Sequence, residues 1–293
     1  MKVLFVINPH SGRKEENNLE ELIKDEVKKL NLDHRIYHMG SGDQEKKIRK
    51  EIESFGPEVV ACAGGDGTVN LMAKILAETQ ITLLIIPNGS ANGMAKELGI
   101  GNRIDFAISL LGNGVRRKID LLKINDHTCI HLADVGLNAR IVKRFEQDQK
   151  RGISTYAKHL MGEVFLIKQY RFYIKYDDKE IMRKAVSLTF ANASKYGTGA
   201  VINPDGILDD GKFELVIVKP FPNIKLLSIA WKMFMGTLQT SEYVEVIRCS
   251  TAEIRSSKKT TLQVDGEVIG KVNEINISLL PQALSVLVPP PNS

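Results

Sequence analysis

The stretch Gly64-Gly65-Asp66-Gly67-Thr68-Val69-Asn70 sets three glycines, a carboxylate and a hydroxyl directly after the apolar run Val59-Val60-Ala61-Cys62-Ala63. Glycines leave the backbone bare enough to approach an anion, and N–H groups at the start of a following helix suit phosphate. A carboxylate in a phosphate-facing loop is costly unless a divalent cation offsets it. Asp66 therefore points to Mg²⁺, and with it to phosphoryl transfer. A strand-to-helix turn whose glycines serve only tight packing explains the same residues, so the choice rests on what the chain places beside them.

Two further acidic motifs have chemical and plain readings side by side. In Asp265-Gly266-Glu267, an extended backbone would point both carboxylates the same way, whereas a hairpin would make a solvated Asp-Gly turn. Asp209-Asp210-Gly211 reads alone as a hydrated turn. Lys14 and Lys158 could offset phosphate charge, although any one of 40 basic residues is first of all solvated surface. The six histidines show no ligand spacing, and Cys62, Cys129 and Cys249, far apart in apolar runs, read as buried thiols in a reducing compartment.

The elements that must hold these groups change character along the chain. From Val3 to Pro87, apolar strands alternate with amphipathic helices: Val3–Ile7, a helix through Leu19, Leu22, Ile23, Val27 and Leu30, His34–Tyr37, Gln44–Phe55, Val59–Ala63, a helix through Val69, Met72, Ala73 and Leu76, and Ile81–Ile86. Such βαβ alternation predicts a doubly wound parallel sheet, which binds ligands beyond the carboxyl ends of its strands. Asn8 to Gly12, Gly64 to Thr68 and Asn88 to Asn92 all fall at those ends. Convergence of three Gly, Ser, Thr and Asn loops favours the phosphate reading over packing.

From about Leu121 short strand-like runs take over: Cys129–Val135, Arg171–Tyr176, Val186–Ala191, Phe213–Val218, Val244–Cys249, Thr261–Val264, Ile275–Leu279 and Leu284–Val288. This predicts an antiparallel β-rich second domain. Helical stretches at Ser154–Ile167 and Ile224–Met235 interrupt it. The latter mixes Trp231, Met233 and Phe234 with Lys225 and Lys232, as a membrane-touching helix does, and is read as core-facing.

A length of 293 residues suits two cores, and 43% apolar with 26% charged residues is ordinary for a globular protein. The net charge of +5 favours anionic partners without selecting among them. One Lys and five apolar residues before Asn8-Pro9 are too few for a signal peptide, and no run approaches the roughly 20 apolar residues of a membrane span. The expectation is a cytoplasmic protein with at most peripheral membrane contact.

Taken in order, Asn-Pro-x-Ser-Gly at Asn8 to Gly12, Gly-Gly-Asp-Gly-Thr at Gly64 to Thr68, Asn-Gly-Ser-Ala-Asn at Asn88 to Asn92 with Leu98-Gly99-Ile100, Asp-Asp-Gly at Asp209 to Gly211, and Asp-Gly-Glu at Asp265 to Glu267 span nearly the whole chain. Together they resemble the soluble diacylglycerol kinase family, bacterial lipid kinases with sphingosine-kinase relatives. Departures are Asn92-Gly93-Met94-Ala95-Lys96, where the family usually has Asn-Asp-Phe-Ala-Arg, and Asn138, where many members carry Asp.

The resemblance implies an N-terminal α/β domain, phosphofructokinase-like or NAD kinase-like and doubly wound, over 1–122, a C-terminal β-sandwich over 123–284, and a tail near 285–293 returning to the first domain. The active site lies between the domains in that family. In such a kinase, Gly64, Gly65, Gly67 and Thr68 would cradle the phosphates of ATP with Asn8, Ser11, Gly12, Asn88, Gly89, Ser90 and Asn92, and Asp66 would sit near Mg²⁺. The resemblance further implies Asp265 as the base for a lipid hydroxyl, Glu267 as its support, and Asp66 as the rival base. It also implies a structural Mg²⁺ at Asp210 with the carbonyls of Ile207 and Lys212.

The function expected is an ATP- and Mg²⁺-dependent lipid kinase acting on a lipid alcohol, diacylglycerol first. An anionic membrane surface would be a transient partner, nucleic acid would not be one, and a homodimer is compatible with the sequence. Rivals are an NAD kinase, which shares Gly-Gly-Asp-Gly-Thr, and a non-catalytic nucleotide-dependent lipid binder.

Overall fold

The computed structural model of the chain describes residues 1–11, 16–137, 168–195 and 201–291. Two compact units emerge, Met1–Ile119 with Gln282–Ser293, and Asp120–Pro281.

Apolar runs in the first unit become strands covered on both faces: β1 (Lys2–Ile7), β3 (Val59–Gly64) and β4 (Thr82–Pro87). A sheet sandwiched between helices has no polar face, which is why these runs do not alternate. The more exposed β2 (Asp33–His38) takes the edge. The order is β2-β1-β3-β4, with every neighbouring pair parallel. Beyond β4 comes the end of the long terminal strand, where Ser285 pairs with Thr82 and Val286 with Leu83. The Thr82 and Ser285 hydroxyls share a hydrogen bond of 3.0 Å. Because the chain leaves β1 for β2 on one side and returns to β3 on the other, the carboxyl ends of β1 and β3 form a topological switch point.

Helices α1 (Glu16–Leu30), α2 (Gln44–Phe55), α3 (Asp66–Leu76), α4 (Gly93–Glu97) and α5 (Ile104–Asn113) connect these strands. Their apolar stripes face the sheet: α1 buries Leu19, Ile23 and Val27, and α3 buries Val69, Met72, Ala73 and Leu76. α3 packs on β3, β4 and α2, while α5 packs on β4 and α1. The limits of α2 follow from its caps, since Asp43 accepts the Lys46 N–H at 3.1 Å and Gly56 closes the helix at φ 63°.

The second unit is a β-sandwich. β5 (Val115–Ile124) crosses the unit boundary, and β6 (His127–Cys129), β7 (Leu132–Gly136), β8 (Tyr170–Tyr176), β9 (Lys179–Ala185), β10 (Ser187–Ala191), β11 (Phe213–Val218), β12 (Val244–Cys249), β13 (Thr251–Val264) and β14 (Glu267–Val288) follow. Pairing runs β12-β11-β10-β7-β13-β14, with β8 on β13 and β9 on β8. β13 serves both layers: Leu262–Val264 pair with β7 and Ala252–Ser256 with β8, with register shifts between. Phe172, Phe190, Phe213, Leu188 and Leu215 fill the space between layers, each contributing roughly 1.5–3 kcal/mol of burial. The helix α6 (Leu226–Phe234) lies outside that core and sends Ile229 into a second cluster with Leu132, Val216 and Leu238.

Several sequence expectations change. The run Cys129–Val135 is not one strand, because Ile130 and His131 leave the ladder and turn their amides onto Asp265. Ile275–Leu279 and Leu284–Val288 belong to the single strand β14, and Thr261–Val264 is the end of a strand starting at Thr251. β9, α4 and α5 were not expected from the sequence. The stretch at Ile224–Met235 faces the core on one side only. The helix expected at Ser154–Ile167, and Gly12, Lys14, Asn138 and Lys158, lie outside the described residues.

Candidate active site

The three loops at the carboxyl ends of β1, β3 and β4 are joined by their own hydrogen bonds. Asn8 sits where β1 ends, its N–H bonded to the Ala63 carbonyl at 2.9 Å. Its side chain donates from Nδ2 to Thr68 Oγ1 at 2.9 Å and accepts the His10 N–H at 3.0 Å. Ser11 Oγ donates to the Asn8 carbonyl at 2.9 Å. The third loop reaches the first through Asn88 Nδ2, which donates to the Ser11 carbonyl at 2.8 Å.

Glycine at 65 and 89 lets the second and third loops touch backbone to backbone. A Cβ on Gly89 would lie 2.4 Å from Gly65 Cα, a distance real atoms do not reach. Asn92 closes that loop: its Oδ1 accepts the Gly89 N–H at 2.8 Å, and its Nδ2 donates to the Gly89 carbonyl at 2.9 Å and to Asn102 Oδ1 at 3.2 Å. Asn92 itself is left-handed at φ 52°, a conformation Asn tolerates better than most side chains. Ser90 is exposed on the same loop.

α3 starts at Asp66, so the N–H groups of Gly65, Asp66 and Gly67 have no carbonyl within the helix to donate to. The Thr68 N–H instead donates to the Gly65 carbonyl at 3.0 Å. Of the four residues expected to present amides, Gly65 and Gly67 thus stand at the open helix end. Gly64 closes β3 against Pro87, and Thr68 turns its hydroxyl to Asn8. One oxygen of Asp66 takes the Met94 N–H at 3.4 Å, tying α3 to α4. A single carboxylate beside a helix N-terminus fits the way Mg²⁺ arrives with a nucleotide, held by one or two carboxylates and the phosphates.

The Asp265 site, in the second unit, is built differently. Val264 pairs with Glu267, leaving Asp265 at φ 48° and Gly266 at φ 88° as a two-residue hairpin turn of the mirror-image type that Asp-Gly prefers. Gly266 is exposed as in an ordinary turn of this kind, but the Asp265 carboxylate is taken up by protein donors. Asp265 Oδ1 accepts the N–H groups of His131 at 2.9 Å and Leu132 at 3.0 Å and the Cys129 thiol at 3.2 Å, and Oδ2 accepts the Ile130 N–H at 2.9 Å. Burial pushes this carboxyl above the usual range, against the opposing pull of His131 and the donated hydrogen bonds. Gln263 clamps the turn, accepting the Gly266 N–H at 2.7 Å and donating to Asp134 Oδ2 at 2.7 Å. Asn192 holds the facing segment, donating to the carbonyls of Asp120 and Ile130 at 2.9 Å each. Glu267 is exposed at the start of β14.

At the third motif, Asp210 engages an ion pair. Its Oδ1 accepts the Lys212 N–H at 2.9 Å and its Oδ2 pairs with Arg248. Arg248 also reaches the buried Glu214 at 3.5 Å, and Asn203 donates to Glu214 at 2.5 Å. Burial pushes Glu214 up, partly offset by the Asn203 hydrogen bond. Ile207 is exposed, and among the described residues no three His, Cys, Asp or Glu side chains are grouped to hold a metal ion. The expected Mg²⁺ set of Asp210, Ile207 and Lys212 thus meets a carboxylate already taken by Arg248 and a main-chain amide.

Sequence reasoning missed Asn102, Cys129, His131, Asn192, Asn203, Glu214 and Arg248. Glu214 offered a signal, as a lone acid inside the apolar run Phe213–Val218; the amides around Asp265 offered none.

Comparison with known proteins matches two family models in succession along the chain. Residues 2–124 match the diacylglycerol kinase catalytic domain, and residues 132–288 match the YegS C-terminal NAD kinase beta sandwich-like domain. A protein of Citrobacter koseri named "Probable lipid kinase YegS-like" is 28% identical over 85% of this chain and 84% of its own length. An uncharacterized Synechocystis protein, sll0036, is 27% identical over 99% of this chain and 70% of its own. The crystal structure of a diacylglycerol kinase from Bacillus anthracis superposes with a TM-score of 0.79 at 20% identity, covering 99% of this chain and 97% of that one, which is a likeness of fold.

Proposed function

We propose a function from a firm premise, that this chain belongs to the lipid kinase family in which a diacylglycerol kinase catalytic domain is followed by a YegS-type β-sandwich domain. The reaction we propose is transfer of the γ-phosphate of ATP to the hydroxyl of a lipid alcohol, with diacylglycerol as acceptor and phosphatidic acid as product. One observation carries the reading: Gly65 and Gly89 bring two loops into backbone contact at the switch point, beside an open helix end. A cradle of main-chain amides there suits the phosphates of a nucleotide.

In this reading the amides of Gly65 and Gly67 receive phosphate oxygens, and Asn8, Ser11, Asn88 and Asn92 hold the loops in position. Mg²⁺ bound with ATP beside Asp66 would offset the charge of the transferred group. Asp265 takes the proton of the lipid hydroxyl, and its raised pKa makes it a stronger base than a solvated aspartate. Glu267 supports it; Asp66 is the competing base. The acceptor lipid places the enzyme in transient contact with an anionic membrane surface on the cytoplasmic side. Among the described residues no helix is long and apolar enough to cross a membrane.

Incubation with γ-labelled ATP, Mg²⁺ and a panel of diacylglycerol, sphingosine, ceramide and phosphatidylglycerol tests this. Label is expected in the lipid extract, with diacylglycerol the best acceptor. Binding of lipid without transfer to any of them would make the chain a nucleotide-dependent lipid binder instead.

A further inference from the structure

Helix α6 has two unlike apolar faces. One carries Ile229 and, four residues on, Met233, and packs into the cluster of Leu132, Val216 and Leu238. The other is a row at helical spacing, Ile224, Ser228, Trp231 and Met235, left uncovered among the described residues: Ile224 is 86% exposed, Trp231 66% and Met235 55%. Isolated exposed apolar residues are ordinary, but three of the largest on one nine-residue helix and its flanks are not.

The segment that carries this row has charges of one sign along the chain. From Leu215 to Ser241 the chain contains Lys219, Lys225 and Lys232 and no Asp or Glu. Lys219 is paired with Glu245, and Lys232 donates to Thr240, while Lys225 is exposed beside Ile224. An indole flanked by lysines is the composition of a helix that lies in a bilayer interface: the ring enters the acyl boundary, its N–H stays wet, and the ammonium groups meet anionic headgroups.

We infer that the Ile224–Trp231–Met235 face of α6 is the surface by which this protein docks on an anionic lipid bilayer. The inference rests on the lipid kinase reading only in that the reading makes a bilayer the place where the acceptor is found. The face adds a membrane contact that belongs to neither the phosphate cradle nor the Asp265 site.

Trp231 is the single tryptophan of the chain, so its fluorescence reports on this face alone. With vesicles of phosphatidylcholine and phosphatidylglycerol, its emission is expected to shift to the blue and to be quenched by lipids brominated in their acyl chains, and less so with phosphatidylcholine alone. The double variant Ile224→Glu, Met235→Glu keeps the reporter and alters only exposed positions; its vesicle partition should fall at least about tenfold with an unchanged melting temperature. Co-sedimentation with vesicles while Trp231 emission stays unshifted would overturn the proposal. So would a blue shift that follows protein concentration without vesicles, which would assign the face to a second copy of the chain. Transfer of phosphate to a short-chain, monomeric diacylglycerol is measured alongside. If that transfer persists while Trp231 never meets lipid, the docking face fails and the kinase stands; if Trp231 inserts while no lipid is phosphorylated, the reverse holds.

Discussion

Gly89 and Gly65 lie so close that a methyl group on Gly89 would sit 2.4 Å from the Gly65 Cα, whereas one on Gly67 would meet nothing within 4 Å. The two substitutions therefore separate packing from ligand approach. Gly89→Ala should lower stability by about 1–3 kcal/mol, because backbone rather than a flexible side chain must move. Gly67→Ala, in the first turn of α3, should raise it by about 0.5–1 kcal/mol yet weaken ATP binding, since phosphate needs the bare backbone there. Thermal melting with and without ATP checks both. A Gly67→Ala protein that binds ATP as tightly as the parent would show that phosphate does not approach this amide.

Replacing Asp265 by Asn has two costs that can be told apart. The amide group can face its oxygen to His131 and Leu132 but must then set NH₂ against the Ile130 N–H, a loss of about 1–3 kcal/mol of stability. Loss of the base should lower the rate of transfer by at least about 10²-fold. Urea unfolding reads the first and labelled-ATP kinetics the second. A destabilised but fully active variant would leave Asp265 a structural anchor and pass the role of base to Asp66.

Glu214 sets a pH dependence. Its folded pKa is raised by burial, so the folded protein holds that proton to higher pH than the unfolded chain does. Stability thus falls as pH rises from the ordinary glutamate range through the raised value. Glu214→Gln removes this component. The unfolding free energy of the parent, relative to the variant, should decline over that window and level off above it; a difference that grows with pH would contradict the assignment.

How much of this was legible beforehand follows from burial. β3 and β4 announce themselves because strands covered on both faces must be apolar throughout. β9 does not, since four of its seven residues are charged and Lys179, Glu180 and Lys184 are exposed. In β14 the exposed pair Pro281-Gln282 interrupts the buried residues on either side, so one strand of 22 residues reads as two. At the site, the three Gly and Asn loops could be recognised because their chemistry needs particular residue types. The nest around Asp265 could not, because main-chain amides of Ile130, His131 and Leu132 carry no residue signature and lie far away in sequence. The Asp265-Gly266 pair is the hairpin turn that the sequence offered as one alternative, and what the sequence did not reveal is that its carboxylate is bonded to those amides.

The central claim is phosphoryl transfer to a lipid hydroxyl, and one competition tests it most directly. With limiting γ-labelled ATP, Mg²⁺, and equimolar diacylglycerol and NAD, the protein should place label in phosphatidic acid and none in NADP. Label recovered in NADP, or only as released phosphate with the lipid unmodified, would contradict it.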